Sequence, residues 1–270
     1  MQNTQNPFVE TAVSAEAHLH KGDTLFDQGS YEAAISEYNE ALELNPNLAE
    51  AYHNRGRAKG SLKQHFDAIS DFDKAIQINQ EFAKAYCNRG IAKAALGHFK
   101  DAIPDFSEAI RIDQNFQIAY DYRGRAKNKI KDYEAAISDF DEAIRIDSEC
   151  ASAYGNRGLA KLNLERYFDA ISDFDELIRM GVYLSISYCN RGIAKRDLGH
   201  PEDAISDFDE AIRIDSGYTH AYYNRGKAQI MLDRTTEGEQ DLQKALNLAE
   251  DAGNEGFKNQ ILEELSKVGK

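Results

Sequence analysis

Residues 49–82 read AEAYHNRGRAKGSLKQHFDAISDFDKAIQINQEF, and residues 83–116 read AKAYCNRGIAKAALGHFKDAIPDFSEAIRIDQNF. Laid one over the other, they share an aromatic at the fourth place, Asn-Arg-Gly from the sixth, Ala at the tenth and Lys at the eleventh. Both then run into Ala-Ile-x-x-Phe-x-x-Ala-Ile. The same frame extends in both directions. Gly22, Gly56, Gly90, Gly124, Gly158, Gly192 and Gly226 stand 34 residues apart, a spacing held six times over. A period between 20 and 50 residues marks stacked supersecondary units, each too small to bury its own apolar face.

Within each period the apolar places fall three and four residues apart, which puts them on one stripe of an α-helix. The first stripe holds the aromatics Tyr52, Tyr86, Tyr120, Tyr154, Tyr188 and Tyr222, the glycine, and an alanine two residues later. The second holds Ala68, Ile69, Phe72, Ala75 and Ile76 and their counterparts. Two stripes joined by a short turn such as Leu96-Gly97-His98 make an antiparallel helical hairpin. Glycine and alanine belong where two helix axes come close, and the aromatics fill the space between one hairpin and the next. Pro201 opens its helix harmlessly. Pro104 is expected in the first turns of its helix, where a missing amide costs little, with at most a mild kink.

This pattern resembles the tetratricopeptide repeat (TPR) over about residues 15–252, as repeats 15–48, 49–82, 83–116, 117–150, 151–184, 185–218 and 219–252. The Asn-Arg-Gly-x-Ala-Lys core resembles a variant typical of bacterial members. The resemblance implies an all-α, right-handed superhelical α-solenoid of seven TPR helical hairpins. Phe257, Ile261, Leu262, Leu265 and Val268 continue a helical stripe, so 253–270 read as a capping helix. Residues 1–14 read as an N-terminal tail and helix start, with 1–10 a loose tail.

The chain departs from the usual repeat in placing arginine before the glycine and lysine three after it. Such a pair, four apart on one helix, should repel. Every second helix carries a carboxylate before its central aromatic, or before Leu242 in the last, from Glu37 and Asp71 through to Asp241. These are expected to form a ladder of ion pairs between first and second helices.

The chain has 32 Lys+Arg against 46 Asp+Glu, a net charge of −14, which repels nucleic-acid phosphate and anionic lipid. No stretch approaches the roughly 20 apolar residues of a membrane span, and residues 1–10 do not read as a secretory leader. Cys87, Cys150 and Cys189 are sparse and lack metal-ligand spacing, which suits reduced thiols in a cytoplasmic protein. The histidines form no ligand pair, the glycines form no phosphate-binding cluster, and the acidic residues recur as helix-surface charge. The reading is therefore a non-catalytic protein without cofactor or metal.

By resemblance, a partner lies on a concave wall made by the second, fifth, ninth, twelfth and thirteenth places of each repeat. The first repeat offers Glu16, Leu19, Asp23, Phe26 and Asp27. Repeats two to four supply Arg57, Lys84, Arg125 and Lys129, with Glu50 and Asp121 opposing them. Ile91, Ile118, Leu159, Leu162, Ile186 and Ile193 add apolar surface, and Arg196, Tyr223 and Lys227 continue the wall. Asn54, Asn88, Asn156, Asn190 and Asn224 stand beside it, placed either to bond the backbone of an extended segment or to bond neighbouring helices. Leu19, His53 and Cys87 stand where lysine would complete the family's clamp for a C-terminal carboxylate, so that ligand is disfavoured. Apolar surface rimmed by charge suits a protein-binding site. The expected partner is another protein or peptide segment, apolar with some acidic residues, and reversal of Arg57, Arg125 and Lys129 to Glu should weaken it. The function expected is an adaptor or scaffold; the alternatives are a self-assembling homo-oligomer and a regulatory subunit of a larger enzyme complex. No nucleic acid and no membrane insertion are expected.

Overall fold

The computed structural model describes residues 14–268. The loose tail expected over 1–10 lies outside the described residues, as do the last two residues of the expected capping segment. All regular structure among the described residues is helical. The chain divides at Ile130 into two compact units. The first holds α1 (Ala15–Asp27), α2 (Tyr31–Leu44), α3 (Ala49–Ser61), α4 (His65–Ile78), α5 (Ala83–Ala95), α6 (Phe99–Ile112) and α7 (Gln117–Lys129). The second holds α8 (Tyr133–Ile146), α9 (Ala151–Asn163), α10 (Tyr167–Met180), α11 (Leu184–Asp197), α12 (Pro201–Ile214), α13 (Thr219–Met231), α14 (Thr235–Asp251) and α15 (Glu255–Leu265). In each unit consecutive helices pack on one another, so that α2, α4, α6, α10 and α12 each lie between two first helices.

The periodic glycine is a packing device. A Cβ built on Gly90 would stand 2.7 Å from the Phe106 ring, and one on Gly192 would stand 2.7 Å from Phe208. Real side chains do not approach so closely, so the aromatic of the second helix seats directly against the backbone of the first. Phe106, Phe174 and Phe208 are fully buried as a result. The turn inside each hairpin places its fifteenth residue at positive φ. Glycine serves there at Gly97 (φ 82°), while Glu165 takes the same left-handed conformation (φ 58°) despite its side chain. The next amide closes the motif, as in His98 N–H to the Lys93 carbonyl at 3.0 Å. Between hairpins, Asn45, Asn79, Asp113, Asp147 and Asp215 accept from the amide two residues on, a side-chain turn that ends one hairpin and starts the next.

Pro104 is the sixth residue of α6, past the four amides that a helix start leaves free. The expectation of a proline in the unpaired first turn is corrected: α6 gives up one backbone hydrogen bond there, on an exposed side, and continues to Ile112.

The expected ladder of ion pairs is present within both units. Arg55 donates from Nε and Nη2 to Asp71 at 2.9 and 2.6 Å. Lys59 reaches the same carboxylate at 2.7 Å, so the two cations that should repel share one buried anion. Arg55 Nη1 turns to Asn39 of the preceding hairpin at 2.6 Å. Arg89, Arg157, Arg191 and Arg225 repeat this geometry, each spanning two second helices, with aspartate in the place of Asn39. Asp241 pushes the Arg225 guanidinium above its ordinary value, against burial, and Asp209 adds to it. In the first hairpin Lys21 and His18 take the cations' part, each 2.7 Å from Glu37. A buried ion pair adds little net stability because desolvation offsets attraction; what it supplies is a specified docking of one hairpin on the next.

Candidate functional site

In the first unit, α3, α5 and α7 present one continuous wall containing three clefts. The first, about 460 Å³, is bordered by Asn54, Arg57, Lys84, Asn88 and Ile118, with Glu50 opposite. The second, about 300 Å³, lies between Phe26, Arg57 and Ile91. The third, about 210 Å³, lies between Ile91, Tyr122, Arg125 and Lys129. The sequence-expected residues of this unit, from Asn54 to Lys129, are thus brought together. Ile118 is 48% exposed, a large apolar side chain held open at the mouth of the first cleft.

The fifth place of the repeats does not face outward. Leu19, His53, Cys87, Asp121, Cys189 and Tyr223 are all buried. His53 shows how. Its ring lies 4.8 Å from Phe82, and its Nε2 accepts from Asn88 Nδ2 at 2.8 Å. Its Nδ1–H donates to Asn54 Oδ1 at 2.9 Å, and Asn54 Nδ2 donates to Asp23 at 2.8 Å. Burial pushes the imidazole down to about 4, the Asn54 hydrogen bond opposes this, and Arg57 and Lys84 add to the lowering. The ring is therefore neutral at pH 7, and the asparagine amides are spent largely on neighbouring helices. Burial likewise pushes the Cys87 and Cys189 thiols up to about 12, so neither is a thiolate at neutral pH.

The cations of the wall differ from those of the ladder. Every ladder arginine and lysine described above holds a carboxylate, whereas Arg57, Lys84 and Lys129 have no carboxylate partner among the described residues. Arg125 stands 3.9 Å from Asp121, at the limit of an ion pair. Arg57 lies over the Phe26 ring at 4.4 Å and Arg125 over Tyr122 at 4.6 Å, stacks that hold both guanidinium groups in place.

In the second unit the expected wall is corrected at three places. Tyr223 is 6% exposed, beneath α15, where it takes a hydrogen bond from Gln260. Arg196, 8% exposed, donates to Asn224 Oδ1 at 2.5 Å and to Asp197, and Asn224 is equally buried. All three are interior contacts between α11, α13 and α15. Leu162 and Ile193 are half-buried in the hairpin cores, and Asn190 is half-buried. Asn156 donates to the Ser152 carbonyl at 2.9 Å, and Lys227 lies over the Tyr223 ring at 5.5 Å. Leu159 and Ile186, 40% and 45% exposed, remain open.

The residues missed at the sequence level are Gly60, Ser61, Ala94 and Ala95, which line the second and third clefts. Their small size at the twelfth and thirteenth places was the available signal. No group of three His, Cys, Asp or Glu among the described residues is placed to hold a metal ion, and no described helix is long and apolar enough to cross a membrane.

Stacked helical hairpins with cross-braced first and second helices define an α-solenoid repeat protein, a class that offers side chains along its first helices. Models of the TPR repeat match residues 22–63, and tetratricopeptide-repeat models match 49–82, 83–116, 123–181 and 189–255. The chain belongs to the tetratricopeptide-repeat family. Residues 159–216 are also similar to anaphase-promoting complex subunit 5. No curated protein matches the chain. Among solved structures, a tetratricopeptide repeat protein from Parabacteroides merdae is 19% identical, with 94% of this chain and 98% of that one covered and a TM-score of 0.65. PilF of Pseudomonas aeruginosa is 17% identical over 77% of this chain and 94% of that one, TM-score 0.68. YrrB, a TPR protein with an unusual peptide-binding site, is 21% identical over 68% and 95%, TM-score 0.62. Repeats of this family mediate protein–protein interaction, and the fold is generally a non-catalytic interaction scaffold.

Proposed function

We propose that the chain is a non-catalytic adaptor whose first unit holds a segment of a partner protein, apolar with carboxylates, against α3, α5 and α7. One observation carries this reading. In a chain of net charge −14, three cations without carboxylate partners gather on one wall, around clefts lined by Ile91, Ile118, Phe26 and Tyr122. Acidic side chains are abundant enough to neutralise them and do so at every described rung of the ladder. Cations left open beside apolar clefts are matched by an incoming carboxylate and apolar side chain.

The test is affinity capture from the source cells with the wild-type chain and with a variant carrying Arg57→Glu, Lys84→Glu and Lys129→Glu. All three side chains are exposed, so the variant keeps its fold, which circular dichroism checks. Arg125 is left alone because it faces Asp121. A partner held by the wild type and lost by the variant is the expected result. Identical partners on both, or recovery of the chain alone with a size that grows with concentration, would overturn the wall as the binding surface.

A further inference from the structure

The second and third clefts are two versions of one arrangement, and four small residues create them. At the twelfth and thirteenth places α1 carries Phe26 and Asp27, and α7 carries Asn128 and Lys129. α3 instead has Gly60 and Ser61, and α5 has Ala94 and Ala95. Each small pair leaves a notch. That over Gly60 and Ser61 is walled by Phe26, Phe72 and Ile91, with Arg57 on its rim. That over Ala94 and Ala95 is walled by Ile91, Phe99 and Tyr122, with Arg125 and Lys129 on its rim. Ile91 is the partition between them.

Each rim also carries a guanidinium over an aromatic ring, Arg57 over Phe26 at 4.4 Å and Arg125 over Tyr122 at 4.6 Å. Stacking occupies the face of the guanidinium and leaves its in-plane N–H fork for a carboxylate, which it matches with two parallel hydrogen bonds. An apolar hole with a cation on its rim therefore occurs twice, one repeat apart: Arg57 at the first, and at the second Lys129 beside Arg125, which also faces Asp121 at 3.9 Å. The two notches lie on α3 and α5, which contact each other, so their expected separation is the about 8–10 Å of packed helices.

Resting on the adaptor reading above, we infer that the partner segment carries two apolar side chains, each next to an acidic residue, spaced to enter both notches at once. The notches select length and register, and the guanidinium groups select the acidic neighbour. A segment in polyproline-II conformation repeats its facing every third residue and advances about 9 Å in doing so; an α-helix covers about 10 Å in seven. β-Strand spacing on one face, about 6.6 or 13 Å, fits neither. The ligand is thus a double apolar–acidic motif with a step of three or seven.

The experiment is fluorescence anisotropy with labelled synthetic peptides bearing two Leu-Glu pairs separated by steps of two to eight residues in a Gly-Ser background, with single-pair and Leu-Lys controls. They are titrated into the full chain, the Arg57→Glu, Lys84→Glu, Lys129→Glu variant, and the notch-filling variants Gly60→Leu and Ala95→Leu. A Cβ on Gly60 meets nothing within 4 Å, so filling that notch leaves the helix packing undisturbed. The expected result is an optimum at a step of three or seven, at least tenfold tighter than the single-pair peptide. Gly60→Leu should remove that gain while leaving single-pair binding intact. Notch-filled variants that bind the best two-pair peptide as tightly as the wild type, or affinities independent of the step, would overturn the inference. Loss on charge reversal alone would leave the adaptor reading standing and remove only the double notch. Equal binding by all variants would remove both.

Discussion

Asp173 accepts from Arg157 Nη2 at 2.6 Å and from Lys161 Nζ at 2.8 Å, and is almost wholly buried. Taking away such an anion strands two cations that desolvation has already penalised. Asp173→Ala should therefore cost about 3–5 kcal/mol in urea unfolding, whereas Asp169→Ala, an exposed acid on the same helix, should stay within about 0.5 kcal/mol. Equal effects of the two would show that the ladder carries no special weight. His53 gives a second residue-scale prediction, through pH. Its folded value, about 4, lies below the ordinary 6.5, so the unfolded chain takes up the proton first. The stability tied to the neutral ring is complete above pH 6.5 and is lost as pH falls toward 4, by about 3 kcal/mol in all. Urea midpoints of the wild type and of His53→Gln should converge over that window; a constant difference between them would refute the assignment. The ladder was legible in the sequence because, from the second repeat onward, each arginine and its aspartate stand 16 residues apart. His53 was not, since its burial depends on Phe82 and Asn88 of the neighbouring hairpin.

At the scale of elements, α15 stands where a further hairpin would otherwise cover α13 and α14. Ile261 is fully buried against Tyr223, Leu242 and Leu246, and Phe257 stacks on His220 at 4.5 Å. Its exposed face carries Glu263 beside Leu262, which is 43% exposed. Ile261→Ala should cost about 2–5 kcal/mol, the usual cost of emptying such a site. Removing residues 252–270 should expose Leu242 and Leu246 and produce aggregation, read by light scattering on heating; an unchanged melting temperature would show that α14 ends the stack unaided. Helix type and pairing were readable from the apolar steps of three and four. Pro104 was misplaced because a repeat pattern marks which face is buried more sharply than where the first turn begins.

Across each unit, every helix pair in substantial contact is one or two places apart in the chain. Stability in such a stack is a sum of hairpin terms and nearest-neighbour interfaces, so it need not be lost all at once. Hydrogen exchange read by mass spectrometry should be fastest in α1, which among the described residues packs chiefly on α2, and slowest in α4 and α5 of the same unit. Uniform protection from α1 to α7 would mean that the unit opens as a single block.

What the sequence determined by itself was everything that repeats: the 34-residue period, the glycine against its aromatic, the arginine on its aspartate, and the basic residues set between acidic ones. These contacts are made within a hairpin or to its neighbour at a constant offset, so one register reveals all of them. What only the tertiary structure decided was what breaks the repeat. Tyr223 is covered by Gln260, 37 residues on, and Arg196 is taken up by Asn224, 28 residues on, so both leave the wall on which their places would have put them. Gly60 and Ala94 open notches because Phe26, Phe72, Phe99 and Tyr122 stand around them. Whether a side chain is buried, paired or open depends on the volumes and charges that three or more helices bring to one point, and no periodicity along the chain encodes that sum.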